Sequence, residues 1–116
     1  MSDEAQYVVV TTVVDSEEAA QRITGILLEN RLAACVQAEA VQSSFWWQDE
    51  IQEAREIRLQ AKAPAARTNE IIAAIHDNHP YEVPEIIVTP ILSGHLPYLQ
   101  WLDAETQPPA APPPNA

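Results

Sequence analysis

Residues 33–47 read AACVQAEAVQSSFWW, residues 48–50 are Gln-Asp-Glu, and residues 57–62 read IRLQAK. No proline interrupts the first stretch, and the second is a polar turn. In the third, Ile57, Leu59 and Ala61 alternate with Arg58, Gln60 and Lys62. That period of two marks a half-exposed strand folded back on the one before it. Arms of about fifteen residues are long against an average strand of about 5–6. Such a hairpin reaches past a small domain and leaves edges unpaired, which an assembly of several copies resolves.

On the N-terminal side, Tyr7–Val14 is a continuous β-branched run, expected of a strand covered on both faces or central in its sheet. Asp15 and Ser16 offer N-cap oxygens, and Glu17 and Glu18 suit a first helical turn. Ala19, Ala20, Ile23, Ile26 and Leu27 then recur at helical spacing, which predicts an amphipathic helix over 16–30. Gly25 inside it suggests close packing against a neighbour.

On the C-terminal side, Pro64 fits the first turn of a second helix with Ile71, Ile72 and Ile75 as its buried stripe. Asn78 and Pro80 end that helix. The segment His79-Pro80-Tyr81-Glu82-Val83-Pro84-Glu85 follows. Its two prolines forbid helix and push His79 and Val83 toward extended geometry, so it is a stiff connector. A strand is predicted at Glu85–Leu92. Leu96, Leu99, Trp101 and Leu102 make a closing helix, with Gly94 and Pro97 near its start.

The order β-α-β-β-α-β plus a C-terminal helix is an α+β, ferredoxin-like split βαβ domain over residues 1–106. Residues 107–116 hold five of the ten prolines and read as a disordered Pro-rich tail.

A net charge of −11 excludes nucleic-acid backbones as partners, since the six basic residues (Arg22, Arg31, Arg55, Arg58, Lys62, Arg67) are few and scattered. No basic and apolar leader pattern opens the chain, and no apolar run nears the ~20 residues of a membrane span. The single Cys35 cannot pair within the chain, which fits a reducing, cytoplasmic location.

No catalytic constellation is visible. Ser43 and Ser44 lie in a strand without a Gly-x-Ser-x-Gly elbow. Cys35, set among Leu32, Ala33, Ala34 and Val36, reads as a buried packing thiol. Two glycines, Gly25 and Gly94, cannot make a phosphate cradle. His76 and His79, three apart, are the candidate metal ligands, with Asp77 and Glu82 as added oxygens. The plainer and favoured alternative has His79 hydrogen-bonded at the connector. His95 reads as a surface or capping residue. Trp46 and Trp47 face opposite sides of the sheet, so one packs in the core and the other meets an interface.

Together, Thr11-Thr12, Leu32-Ala33-Ala34-Cys35-Val36, Trp47 and Lys62 form a distinctive set. With His79-Pro80-Tyr81-Glu82-Val83-Pro84-Glu85-Ile86-Ile87 and Tyr98-Leu99-Gln100-Trp101-Leu102, it resembles the CutA family of divalent-cation tolerance proteins over about residues 7–106. The resemblance implies a tight homotrimer whose long hairpins pair between subunits. Its architecture is similar to that of PII signalling proteins, with clefts between subunits. It also implies a response to copper and other divalent cations by binding rather than catalysis, with no required cofactor and Cu²⁺ or another divalent ion as the bound species.

Copper-binding family members carry a cysteine near the end of the first strand and a His-His pair before Pro-Tyr. This chain has Thr12 (or Thr11, by one residue of alignment) and Asn78-His79, which keeps one ligand of three. Asp49 stands where a turn glycine is usual, and tolerates the left-handed conformation. The alternative reading is a PII-like module that binds a small ligand in the intersubunit cleft, at Lys62, Tyr81, Glu82 and Glu85, and signals to a protein partner. A third is a trimeric scaffold whose tail recruits a partner.

Overall fold

The computed structural model describes residues 5–107. Four strands, β1 (Tyr7–Val14), β2 (Cys35–Trp47), β3 (Glu50–Pro64) and β4 (Ile86–Ile91), form one sheet in the order β2-β3-β1-β4. All neighbours are antiparallel. Helices α1 (Glu17–Glu29) and α2 (Thr68–Asn78) cover one face. Helix α3 (Leu96–Glu105) lies at the end of the sheet, where Asp103 accepts a hydrogen bond from Tyr7. This is the expected ferredoxin-like arrangement. Of the predicted tail, residues 107–116, all but Gln107 fall outside the described residues.

β1 is central, between β3 and β4, but it is not covered on both faces. Val8, Val10, Thr12 and Val14 are buried, while the alternate side chains are half-exposed. The apolar run reflects a sheet with helices on one side and an open face on the other. The buried set meets Ala19, Ala20, Ile23 and Leu27 of α1, and Ile71 and Ile75 of α2. Ile72 is only half-buried, so the α2 stripe is narrower than expected.

Local chemistry sets the ends of α1. The Ser16 hydroxyl accepts from the Ala19 N–H at 3.1 Å, leaving 17–29 helical. At its C-terminus Arg31 takes φ 58° while its N–H reaches the Leu28 carbonyl and the Leu32 N–H reaches that of Leu27. These bonds form a Schellman closure. Gly25 makes no close approach, since a Cβ there would meet nothing nearer than Glu29 Oε1 at 4.0 Å. Pro64 ends β3 with ψ 145° and caps a one-turn 3-10 helix (Ala65–Arg67), so α2 starts only at Thr68. Extended ψ is what continued pairing with Tyr7 demands there.

The hairpin is as long as its sequence implied. β2 pairs with β3 over its full thirteen residues, but β1 reaches only Ile57–Pro64 of β3. Residues 41–47 and 50–56 therefore extend as a two-stranded arm, roughly 23 Å long at ~3.3 Å per residue. Neither tryptophan on it enters the core. Trp46 is 71% and Trp47 54% exposed, because both lie beyond the last helix-covered pair. Cys35 is half-exposed rather than buried, lying against the Tyr98 phenol.

Gln48 (φ 51°) and Asp49 (φ 63°) alone connect Trp47 to Glu50, a two-residue turn with both φ positive. Such turns match the strand twist but favour Asn-Gly. The double change Gln48→Asn, Asp49→Gly is expected to raise stability by about 1 kcal/mol, from relief of two left-handed side chains. Thermal unfolding checks it. An unchanged midpoint would mean that the arm frays independently of the domain.

Candidate functional site

Where β1 ends, the connector 79–85 folds back beside it, and His79 is fixed by its neighbours. Its Nδ1 accepts the Tyr81 backbone N–H at 3.1 Å, so that nitrogen carries no proton. Its Nε2 lies 2.8 Å from the Val13 carbonyl and 3.0 Å from Thr12 Oγ1. Because a carbonyl only accepts, Nε2 donates and the ring is the neutral Nε2–H tautomer. Burial pushes its pKa below 6.5, against opposing pulls from the Val13 carbonyl, Asp15 and Glu56. The Tyr81 ring packs against it, with centroids 5.0 Å apart.

Tyr81 in turn donates its hydroxyl to Glu56 Oε2 at 2.6 Å. Burial first, then Glu56, raises the phenol's pKa, so it stays a donor throughout the neutral range. Glu56 is 7% exposed, a near-buried carboxylate that the sequence alone does not single out. Its signal was faint, since Glu56 stands beside Ile57 in an otherwise regular alternation. Only the register, which sets it opposite Val41 on the open face, marks it as covered by the connector.

Between the hairpin arm and the connector runs an open groove of about 820 Å³. Tyr81, Glu82 and Glu85 all line it, as does Trp47 from the arm. Lys62 does not. It lies toward α3, its Nζ 5.9 Å from the Tyr98 ring centroid. His76 is also apart from the groove, on exposed α2, with Nδ1 3.2 Å from Asp77 Oδ1. His95 is an exposed N-cap of α3 whose ring makes no capping bond.

A resident metal does not fit this arrangement. Both His79 nitrogens are engaged, Thr12 is a hydrogen-bond partner of the ring, and His76 faces solvent. Among the described residues no group of three His, Cys, Asp or Glu side chains could hold an ion. No helix there is long and apolar enough to cross a membrane.

The locked imidazole has a pH signature. With its folded pKa below 6.5, the unfolded chain binds the proton first as pH falls. Stability from this group is therefore complete above pH 6.5 and lost as pH drops through that value toward the lower folded pKa. Denaturant midpoints taken from pH 8 to pH 5 should fall, and the fall should be smaller in His79→Gln. Parallel curves for the two proteins would contradict the locked tautomer.

A family model described as CutA1 divalent ion tolerance protein matches residues 7–105. The divalent-cation tolerance protein CutA of Thermus thermophilus is 39% identical over 99 residues, covering 84% of this chain and 96% of that protein. Protein CutA 1, chloroplastic, of rice is 35% identical and covers 86% of this chain, which spans only 57% of the rice protein's length. Among solved structures, the periplasmic divalent cation tolerance protein CutA of Archaeoglobus fulgidus superposes with a TM-score of 0.85 at 32% identity. That match covers 87% of this chain and 99% of the other.

Proposed function

The chain belongs to the CutA1 divalent ion tolerance family, and on that premise we propose that it acts as a homotrimer in the response to divalent cations, copper among them, by binding rather than by catalysis. The family match across residues 7–105 carries this reading. The proposed location is the cytoplasm, supported by the unpaired Cys35 thiol; the Archaeoglobus relative described as periplasmic is the contrary precedent. Because His79 is closed by its hydrogen bonds, the ion would be met at the surface, where the exposed His76 imidazole adjoins Asp77.

Calorimetric titration of the full chain with Cu²⁺ and Zn²⁺ tests the reading. Saturable heat that weakens in His76→Ala is expected. No saturable heat with either ion ends the direct-binding proposal.

The groove favours a second reading, in which a small ligand binds beside the connector and the occupied protein signals to a protein partner. Its support is the convergence of Tyr81, Glu82 and Glu85 on one cavity with the arm. A thermal-shift screen across nucleotides, organic acids and amines tests it, since a ligand of the folded state raises stability by mass action.

A further inference from the structure

Helix α3 leaves an aromatic shelf uncovered. Leu102 is its buried member, and Thr106 is buried at its C-terminal cap. Tyr98 and Trp101, three residues apart and so on one side of the helix, have their rings stacked at a centroid distance of 5.7 Å. The Lys62 ammonium takes up the Tyr98 ring, while Trp101 stays 42% exposed and Leu96, in the first turn, 62%.

This shelf is remote from the arm. Tyr98 lies beside Cys35 and Lys62, which face each other at the start of β2. Trp47 closes the same thirteen-residue strand, roughly 40 Å away at ~3.3 Å per residue.

The point where the chain leaves α3 is fixed. Arg67 Nη2 donates to the Thr106 carbonyl at 2.7 Å, and the Gln107 side-chain amide donates to that of Asp103 at 3.3 Å. The chain bends at Gln107, and residues 108–116 then read PPAAPPPNA. No side chain in that segment is charged, so the acidic surface does not repel it. Its prolines favour the polyproline II helix, whose three residues per turn put Pro109 and Pro112 on one edge. Aromatic surfaces are what such edges dock against.

The lengths agree. Counted back from Gln107 at a helical rise of ~1.5 Å, Trp101 and Tyr98 stand at roughly 9 and 14 Å. Counted forward at ~3.1 Å per residue, Pro109 and Pro112 stand at roughly 6 and 16 Å. Folding back at the bend therefore sets the proline edge over the aromatic pair. Tethering supplies an effective concentration of about millimolar, so a weak contact suffices.

We propose that the segment after Gln107 folds back along α3, with Pro109 and Pro112 covering Trp101 and Tyr98 of the same chain. The occupant of the shelf is the chain's own proline-rich tail, not a proline-rich segment of another protein.

Nuclear magnetic resonance on the isotopically labelled full chain tests this. Overhauser contacts from the δ-protons of Pro109 and Pro112 to the Trp101 indole and Tyr98 ring are expected, with upfield ring-current shifts of those protons. Pro109→Ser with Pro112→Ser should abolish the contacts and move the Trp101 indole N–H signal. Pro113→Ser, off that edge, should leave the signal in place. Trp101→Leu identifies the indole signal and should return both prolines to random-coil positions.

Random-coil proline shifts in the full chain, or a Trp101 indole indifferent to the proline pair, overturn the docking. Contacts found only between labelled and unlabelled chains in a mixed sample overturn it in favour of a neighbouring copy's tail. A Trp101 signal that moves on dilution but not with the tail variants overturns it in favour of a second copy seated on the shelf.

Discussion

Replacing His79 with alanine lowers stability by about 2–4 kcal/mol, because the change strands three partners at once. The Tyr81 N–H loses its acceptor, while the Val13 carbonyl and Thr12 hydroxyl lose their donor. Each group left unsatisfied costs about 1–3 kcal/mol when buried. Half-exposure of the site lets water recover part of this, which keeps the sum near the lower end. Affinity for Cu²⁺ or Zn²⁺ is expected to stay the same, since the ring offers no free lone pair as folded.

Guanidinium unfolding and metal calorimetry on the same samples separate the two consequences. His79→Gln, whose amide can donate from a position near that of Nε2, should recover part of the stability. The opposite pattern, stability intact and metal heat abolished, would show that His79 is a ligand and that the connector opens to release it.

The sequence made the long hairpin, the order of elements and the stiff connector legible because each depends on local signals. Uninterrupted β-branched and alternating runs, a polar turn and paired prolines act within a few residues of themselves. What it could not show depends on register. Trp46 and Trp47 alternate as any strand residues do, and only the length of β1, which stops opposite Ile57, puts both beyond the covered sheet. Thr12 reads as a missing ligand until its hydroxyl is found beside His79 Nε2. Glu56 and Tyr81 are 25 residues apart and meet only because the connector returns across the open face. The histidine pair shows the same limit. A spacing of three suggests one shared face, but α2 ends at Asn78 and extended ψ at its cap turns His79 inward while His76 stays outside.

Exchanging both Trp46 and Trp47 for aspartate should reduce the particle from the three times 12.8 kDa of the proposed homotrimer to a single chain. The reason is the arm's composition and its lack of cover. Phe45, Trp46, Trp47 and Ile51 are between 40% and 71% exposed, on a segment where β2 and β3 have only each other. β2 is the sheet's edge along its whole length, and β3 gains a second edge over 50–56. Exposed apolar side chains beside unpaired backbone donors and acceptors form a template for pairing with another chain. The acidic surface suppresses indiscriminate association, so a closed assembly is the arrangement that hides the arm without aggregation. Burying a large side chain contributes about 1.5–3 kcal/mol, so removing two from every copy should weaken association more than a hundredfold. Sedimentation equilibrium at micromolar protein reads the mass directly. A wild-type chain sedimenting at 12.8 kDa would remove the assembly itself, and an unshifted mass in the double variant would move the interface from the arm to the open face of the sheet. The distinction bears on the groove, because Trp47 cannot both seal a subunit contact and face a ligand unless the assembly leaves one side of the arm in solvent.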